Sequence, residues 1–191
     1  MEANIIDGPK RRCDVVFGLS TVKNPVSLTH LVMDKSPHFY LAFSSAEEFT
    51  KKQGVELVDN EYFITKKNVG MLKLAKEVNS ILFDYRIPTT GTWRQSVAVD
   101  KEGSYAAATS TSGLMNKMTG MIDDSPLIGS GIYACELCGV SCTEEGEAVI
   151  RSTLVREVAA MMEYKGLSLN EVVDFVIKNR LGEGRSTRAN E

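Results

Sequence analysis

The sequence predicts a single α/β domain, and three observations support this class. Segments with strand-like and helix-like patterning alternate along the chain. At 191 residues the chain is long enough for one domain with a real core and short for two. Hydrophobic residues make up 43% of it and charged residues 25%, values that are ordinary for a globular protein.

Capping residues and turn residues define the elements of the first third. Asn24-Pro25 is a typical helix start, because a capping side chain is followed by proline at the first helical position. A strand-like run follows at residues 38–43. Ser45 and Glu48 have the spacing of a capping box for a short helix, and Gly54 is placed to end that helix.

The middle of the chain continues the alternation. Thr65 precedes a longer amphipathic pattern and is expected to cap a helix. Residues 81–85 have an extended pattern. Two further strands are predicted at residues 96–100 and 105–110, joined by a hairpin turn at residues 101–103.

The last third contains one extended run and two helices. Residues 132–142 are predicted to form a strand. Thr143 is expected to cap a long helix that Gly166 ends. A second capping box begins a helix over residues 169–181. Residues 182–191 have nothing to bury, so we expect a disordered tail.

Charge and composition restrict the partners and the compartment. The net charge of −3 gives no electrostatic reason to expect nucleic acid or a membrane surface as partner. No apolar run is long enough for a membrane span, and the N-terminus lacks the pattern of a signal peptide. Four cysteines without a secretory signal are typical of reduced thiols. We therefore expect a cytoplasmic protein.

Three of the cysteines lie close together in sequence, and this raises a metal hypothesis. Cys135, Cys138 and Cys142 have a spacing that can bind zinc or an iron–sulfur cluster. On an extended strand, however, Cys135 and Cys138 would point to opposite faces. No histidine is near in sequence, and Cys13 is far away. Small buried hydrophobic side chains explain the pattern better, and we expect no metal.

Several stretches together resemble one known family, the plant-type L-asparaginases and isoaspartyl peptidases, which are N-terminal nucleophile (Ntn) hydrolases. The resemblance covers most of the chain up to about Leu181, in the family's order. It is carried by Met1-Glu2-Ala3-Asn4, Asn24-Pro25-Val26-Ser27-Leu28, Ala107-Ala108-Thr109-Ser110-Thr111, Asp124-Ser125-Pro126 and Met162-Glu163-Tyr164-Lys165-Gly166-Leu167.

The resemblance implies a partial αββα sandwich of the Ntn-hydrolase type. Met1 is similar to an internal methionine of the family, so we expect the terminal strands of the sandwich to be lacking. Residues 1–181 would form one incomplete domain. Residues 1–91 would correspond to the α-subunit and residues 92–181 to the β-subunit of the autocleaved family members.

In the family, self-cleavage frees an N-terminal threonine that serves as nucleophile and supplies its own amine as base. Cleavage between Gly91 and Thr92 would make Thr92 that nucleophile. Counting back from Asp100 without a gap puts Trp93 at the nucleophile position instead, and Trp has no nucleophilic atom. Retaining Thr92 requires one extra residue in the strand, which reverses the facing of its side chains.

Other site positions carry over from the family one at a time. Thr111 matches the second site threonine, and Asp124 matches the aspartate that holds the substrate α-amine. The family glycine before that aspartate is Asp123 here. The family arginine that binds the substrate α-carboxylate is Met121, which removes a charge-assisted contact.

The oxyanion hole of the family uses a Thr-Gly pair, and this chain has Thr143 followed by Glu144. A carboxylate beside a developing oxyanion would repel it, and losing one such donor typically costs about a hundredfold in rate. Gly146, the next family glycine, is retained and would line the substrate site.

No cofactor is expected, although potassium is possible by resemblance. Residues 31–38 resemble the alkali-metal activation loop of potassium-dependent plant members. His38 and Glu145 would then be parts of a switch whose arginine partner is again Met121.

Three functions follow from these observations. The first is hydrolysis of L-asparagine and β-aspartyl peptides, impaired by the altered positions. The second is a non-catalytic homologue, or a subunit that pairs with an intact relative. The third is a thiol-based metal-binding protein. The partners expected are a small-molecule amide or β-aspartyl dipeptide, and a homo- or hetero-oligomer with family members.

Overall fold

The computed structural model describes residues 1–79, 94–142, 146–176 and 178–179. Within these ranges, none of the helices combines the length and apolar character needed to cross a lipid bilayer. Three predicted features lie wholly or partly outside the described residues. They are the extended segment 81–85, the end of the helix predicted over residues 169–181, and the tail 182–191.

A five-stranded sheet forms the centre of the fold, in the order β3-β2-β1-β5-β4, and a two-stranded sheet pairs β6 with β7. In the large sheet only β2 and β3 are parallel. The strands are β1 Glu2–Asp7, β2 Arg12–Phe17, β3 Tyr40–Ala42, β4 Arg94–Val99, β5 Tyr105–Thr111, β6 Ile132–Ala134 and β7 Gly139–Ser141.

Six α-helices and one short 3-10 helix accompany the strands in the described residues. The α-helices are α1 Pro25–Lys35, α2 Phe43–Lys52, α3 Lys66–Glu77, α4 Gly146–Ser152, α5 Leu154–Lys165 and α6 Leu169–Val176. The 3-10 helix is Asn60–Phe63.

Three of the predicted helix caps are confirmed. Asn24 Oδ1 accepts a hydrogen bond from Ser27 N at 3.2 Å, and Thr65 Oγ1 accepts one from Asn68 N at 3.1 Å. In the capping box before α6, Ser168 N donates to Glu171 Oε2 at 2.9 Å. Each side chain therefore satisfies a backbone N–H that the helix itself leaves unpaired.

The predicted capping box at Ser45 and Glu48 is wrong. Helix α2 begins at Phe43, directly after the three-residue strand β3, and no side chain caps it. Ser45 is therefore inside the helix. Glu48 instead forms an exposed ion pair with Lys52 one turn later, at 2.7 Å, a spacing that brings two side chains together on a helix surface.

The long helix predicted up to Gly166 is divided in two. Thr153 adopts a left-handed conformation, with φ 48°, between α4 and α5. The break lets the backbone N–H of Arg156 reach the carbonyl of Gly129, at 3.2 Å. Gly166, also left-handed at φ 64°, ends α5 as predicted.

The strand predicted over residues 132–142 is instead a hairpin. Strands β6 and β7 pair antiparallel, with Ala134 opposite Gly139. Cys135 and Cys138 lie at the turn, where the two thiols are neighbours rather than on opposite faces. The hairpin satisfies the backbone groups of both short strands, whereas a single long strand would need a partner on another element.

The β1–β2 hairpin at the start of the chain was not predicted from patterning, although it supplies two central strands. Arg12 begins β2. Asp7 at the end of β1 forms ion pairs with Lys10 at 3.3 Å and Arg12 at 3.5 Å across the turn. Gly8 is required there, because a Cβ would lie 2.6 Å from the carbonyl oxygen of Tyr105.

The two faces of the large sheet are covered by different elements. Helix α1 packs on β1, β2 and β5, and its Leu28 and Val32 are buried with Ala3 and Val16 of the sheet. The β6–β7 hairpin packs on the other face. Its cluster consists of Ile6, Ala107, Ile132 and Ala134. Helices α5 and α6 pack beyond the hairpin around Val158 and Val172, in contact with Val140 of β7. The fold is a mixed α/β arrangement with a central sheet, compatible with the Ntn-hydrolase class.

Candidate functional site

The candidate site lies where β1 begins and β5 ends. The antiparallel register pairs Glu2 with Thr111. Directly opposite residues have their Cβ atoms about 5 Å apart on the same face of a sheet. Both side chains are 3% exposed, so a carboxyl group and the site threonine are buried side by side.

Asn4 connects this part of the sheet to the loop that contains Asp124. Its Nδ2 donates a hydrogen bond to the carbonyl oxygen of Ser125 at 3.0 Å. The side chain is completely buried, and its Oδ1 has no partner among the described residues. Asn4 therefore fixes the position of the loop relative to β1.

Asp124 begins a tight turn and is packed against a glycine. Leu127 N donates to the Asp124 carbonyl at 2.9 Å. A Cβ at Gly131 would lie 2.6 Å from Asp124 Oδ2. Because Gly131 has no side chain, there is room for the carboxyl group of Asp124, the residue that matches the amine-binding aspartate by resemblance.

Asp123 occupies the space that Gly146 leaves at the start of α4. A Cβ at Gly146 would overlap the Asp123 carboxyl group. The same carboxyl group accepts a hydrogen bond from Asp124 N at 2.9 Å. The predicted site residues Asp124 and Gly146 are therefore brought together through Asp123.

The site is acidic, and burial together with neighbouring negative charge raises the pKa values of Asp124 and Glu2. Burial, and then the charge of Asp123, raise the pKa of Asp124 to about 6. Burial also raises the pKa of Glu2. The positive charges of Lys117 and the N-terminal amine oppose this rise, and the negative charges of Asp123 and Asp124 add to it. These are the effects expected when desolvation and like charges disfavour the ionised form.

Thr111 ends β5 with its hydroxyl engaged in a turn. Its Oγ1 accepts a hydrogen bond from Gly113 N at 2.9 Å. Gly113 has φ 77°, and the Lys117 side chain packs against it in the space that a Cβ would fill. This turn brings the nearby cation, Lys117, close to Glu2.

The segment leading to the predicted oxyanion residues is fixed to β4 by Gln95. Gln95 Nε2 donates to the Cys142 carbonyl at 3.1 Å, and its Oε1 accepts from the Ser141 hydroxyl. Thr143, Glu144 and Glu145 come next in the chain and lie outside the described residues, as do Thr92 and Trp93.

The potassium switch is not assembled by the residues described. The backbone N–H of His38 donates to Ser36 Oγ at 3.0 Å, and the His38 side chain is exposed. Glu145 is outside the described residues. In the same ranges no group of three or more His, Cys, Asp or Glu side chains could hold a metal ion. The potassium site therefore stays a prediction.

The sequence reasoning missed three residues of this site, Glu2, Asn4 and Lys117. Glu2 and Asn4 belonged to a motif that carried the resemblance, and neither had been given a role. A usable signal was present, because Glu2 and Asn4 alternate with Ala3 and Ile5 as residues of a strand do. A carboxyl group and an amide on one buried face of a strand indicate a polar site.

The arrangement can bind a cation better than an anion. Asp124, Asp123 and Glu2 are grouped within electrostatic reach, with Lys117 as the nearby side-chain cation that acts on Glu2. An amine would find a carboxyl partner here. A substrate carboxylate would meet like charges.

Comparisons with known proteins agree in pointing to one family. The family model described as asparaginase matches residues 1–187. A probable isoaspartyl peptidase/L-asparaginase 2 from Arabidopsis thaliana is 62% identical over 207 residues, which cover 96% of this chain and 64% of the relative. The isoaspartyl peptidase of Escherichia coli is 37% identical, over 95% of this chain and 58% of its own length.

A human isoaspartyl peptidase/L-asparaginase is 34% identical over 92% of this chain and 56% of its own length. The chain therefore spans between 56% and 64% of the length of these three relatives. The alignment with the Arabidopsis protein runs over 207 positions, more than the 191 residues of this chain, so that relative has internal residues that this chain lacks.

Proposed function

This chain belongs to the asparaginase family, and we propose that it is a catalytically impaired homologue of the enzymes that hydrolyse L-asparagine and β-aspartyl peptides. The relatives reported above are named isoaspartyl peptidases or L-asparaginases. The proposal combines their activity with the altered site of this chain.

The fold we propose is an αββα sandwich. The order of contacts supports it, since α1, the five-stranded sheet, the β6–β7 hairpin and α5 follow one another through the molecule. Residues 1–91 would act as the α-subunit and residues 92–181 as the β-subunit, divided at Gly91–Thr92.

Any residual reaction would use the residues that match the family's site, and it would require cleavage that frees Thr92. Thr92 would attack the side-chain amide carbonyl, with its own α-amine as base once cleavage has freed it. Thr111 would support the nucleophile by hydrogen bonding, and Thr143 would donate to the oxyanion. Asp124 would hold the substrate α-amine beside Gly146.

The observation that carries the impairment is the pair Asp123 and Asp124. Two adjacent carboxyl groups, with Asp123 filling the space at Gly146, suit an amine and oppose an α-carboxylate. The family substrates carry both groups on one carbon. Met121 in place of the arginine leaves the carboxylate without its charged partner, which weakens binding and orientation together.

The pairing of β4 gives a second reason for impairment. Residues 94–99 pair with β5 one for one, from Arg94 opposite Ser110 to Val99 opposite Tyr105. This stretch contains no bulge that would accommodate the extra residue needed to keep Thr92 in the nucleophile position. Within the described part of β4, nothing therefore opposes the ungapped alignment, which puts Trp93 there.

The test is a comparison of hydrolysis by the natural chain and by a restored variant. We expect the purified chain to release no amino acid from a β-aspartyl dipeptide, and no ammonia from L-asparagine, above the rate of a Thr92→Ala control. The variant combines Met121→Arg, Asp123→Gly and Glu144→Gly, which return the substrate clamp and the oxyanion glycine. With Trp93 also deleted, which returns Thr92 to the nucleophile position, a variant that cleaves itself at Gly91–Thr92 should gain at least about a hundredfold in kcat/KM.

Activity of the natural chain that disappears in Thr92→Ala would overturn the impairment. A restored variant that cleaves itself yet remains inactive would show that the altered positions are not the cause.

A second candidate role is a non-catalytic subunit that pairs with family members. Val97 and Val99 of β4 are 41% and 60% exposed, and β4 is an edge strand of the described sheet. An exposed apolar edge favours pairing with another chain. Co-expression with an intact relative, followed by size-exclusion chromatography, tests this role. Elution of the two chains in separate peaks would exclude it.

A further inference from the structure

The turn between β6 and β7 brings two thiols together. The register of the hairpin pairs Ile132 with Ser141 and Ala134 with Gly139. Continued by one residue, it puts Cys135 directly opposite Cys138. The hydrogen bond from Cys135 N to the Cys138 carbonyl, 2.9 Å long, fits this position. The two sulfur atoms are 3.9 Å apart.

This geometry is within reach of a disulfide. Directly opposite residues of an antiparallel pair have Cα atoms about 5.5 Å apart, near the commonest separation for cystine. A disulfide needs its sulfurs at about 2.05 Å, so the two Sγ atoms of Cys135 and Cys138 must approach, which rotation of the side chains can supply. The hairpin backbone can stay in place.

The two thiols differ in exposure and in acidity. Cys135 is partly exposed, whereas Cys138 is 2% exposed. Burial, then the charge of Cys135 and its hydrogen bond, raise the pKa of Cys138 to about 12, and Arg156 acts in the opposite direction. The accessible thiol is therefore the one that meets a reagent first, and the buried thiol reacts within the hairpin.

A cleft of about 440 Å³ opens beside Cys135. Its charged lining consists of Arg11, Arg12, Arg156, Glu136 and Glu163. The basic side chains outnumber the acidic ones, which favours a small anionic reagent over a cationic one.

A metal is a poorer occupant of this pair. Zinc takes four ligands in structural sites. Within the described ranges no third His, Cys, Asp or Glu joins the two thiols in a group that could hold a metal ion. Two neighbouring thiols without further ligands are suited to oxidation instead.

We propose that Cys135 and Cys138 form a redox-active dithiol that closes to an intramolecular disulfide by exchange with a small anionic disulfide such as glutathione disulfide. The Cys135 thiolate attacks one sulfur of that disulfide, and the first glutathione leaves as a thiolate. The Cys138 thiolate then attacks the sulfur of Cys135 and displaces the second glutathione. Two protein thiols are oxidised, one disulfide is reduced to two thiols, and the protons end on the released glutathione.

The test uses the full-length chain in mixtures of reduced and oxidised glutathione, with rapid alkylation and intact-mass measurement. The expected product has lost two hydrogen atoms and takes up two fewer alkyl groups. Peptide mapping should find the bond between Cys135 and Cys138. Cys13→Ser and Cys142→Ser are the matched controls and should close equally well.

Single variants separate the two steps. Cys138→Ser should accumulate a mixed disulfide of Cys135 with glutathione, because the thiol that displaces it is missing. Cys135→Ser should resist modification at Cys138, since that thiol is buried. Circular dichroism spectra confirm that each variant is folded.

Three results would overturn the proposal, and each can be measured with the unmutated protein. They are four alkylated thiols after incubation with excess glutathione disulfide, a mixed disulfide as the end product, and a cross-link that joins Cys13 to Cys135. None of these measurements depends on hydrolase activity, so the proposal stands or fails apart from the proposed function.

Discussion

At the scale of single residues, the site is governed by carboxyl groups that are buried close together. Asp124, Asp123 and Glu2 lie in one polar region, and the pKa values of Asp124 and Glu2 are raised. Desolvation dominates both shifts. An acidic group in such a place is kept for a role other than stability, because a neutral side chain of similar shape would cost less to bury.

Replacing Asp124 by Asn should stabilise the chain at neutral pH. The pKa of Asp124 rises from 3.8 to about 6 on folding, so between these values the folded chain binds more protons than the unfolded chain. The free energy of unfolding therefore falls as the pH increases through this range. Asp124→Asn should be more stable by about 1 kcal/mol at pH 7, less than the shift alone implies because the carboxyl is partly exposed.

Urea denaturation at several pH values measures this effect. At about pH 4 the advantage of Asp124→Asn should be largely gone, because the natural carboxyl is then protonated in the folded state. Asp59→Asn changes an exposed carboxyl and should alter the unfolding free energy by less than about 0.5 kcal/mol. A constant difference between the natural chain and Asp124→Asn at all pH values would contradict the assignment.

Asn4→Ala should destabilise the chain by about 2 kcal/mol. The change removes the 3.0 Å hydrogen bond to the Ser125 carbonyl and leaves that acceptor without its partner in the interior. Asn60→Ala, at an exposed position, is the control for the loss of an amide side chain. Thermal unfolding would show the difference, and equal melting temperatures for the two variants would refute the role of Asn4.

At the scale of elements, what could be predicted was local. The caps at Asn24, Thr65 and Ser168 depend on residues within one turn, and the structure has all three. The β1–β2 hairpin was missed, and residues 132–142 were predicted as one strand, because strand pairing depends on partners distant in sequence. The pattern of a short segment does not show which other strand will pair with it.

The candidate site divides in the same way. Thr111, Asp124 and Gly146 were found because short motifs resemble a family, with no physical argument for their proximity. The alternation in β1 could indicate a polar face at Glu2 and Asn4, but only the register with β5 places Glu2 beside Thr111. A site built across two strands cannot be assembled from the pattern of either one alone.

The contact between the start of α4 and the Asp123 loop gives a prediction of its own. Gly146→Ala should cost about 1–2 kcal/mol of stability, because a Cβ there overlaps the Asp123 carboxyl. In the Asp123→Gly background the same change should be neutral or favourable, since alanine is the better helix former. The double-mutant cycle measures the coupling free energy.

Gly70→Ala is the matched control for this cycle. Gly70 lies inside α3, where a Cβ would meet nothing within 4 Å. It should gain up to about 1 kcal/mol from helix propensity alone. A Gly146→Ala cost that is unchanged in the Asp123→Gly background would disprove the contact.

The break between α4 and α5 predicts a stabilising substitution. Thr153 has φ 48°, a conformation that is unfavourable for a β-branched residue and open to glycine. Thr153→Gly should therefore raise the free energy of unfolding by up to about 1 kcal/mol, measured by urea denaturation. A marked loss of stability would mean that the hydroxyl, which donates to the Ser152 carbonyl at 2.8 Å, matters more than the backbone strain.

At the scale of the whole molecule, the two parts of the proposed precursor share one sheet. Strand β1 lies between β2 and β5, and six residue pairs join it to β5. The division at Gly91–Thr92 would therefore leave the halves held together by backbone hydrogen bonds. After cleavage the two fragments would stay associated in one folded molecule. A folded protein could therefore be either cut or uncut, and only its mass distinguishes the two.

The intact mass of the purified chain after incubation at neutral pH tests the central claim most directly. Denaturing mass spectrometry separates halves that the sheet would otherwise hold together. Our account, in which the nucleophile position is disrupted, predicts one uncut chain of 191 residues. Two fragments that meet at Gly91–Thr92 would show that Thr92 is released, and the impaired-homologue account would be contradicted at its first step.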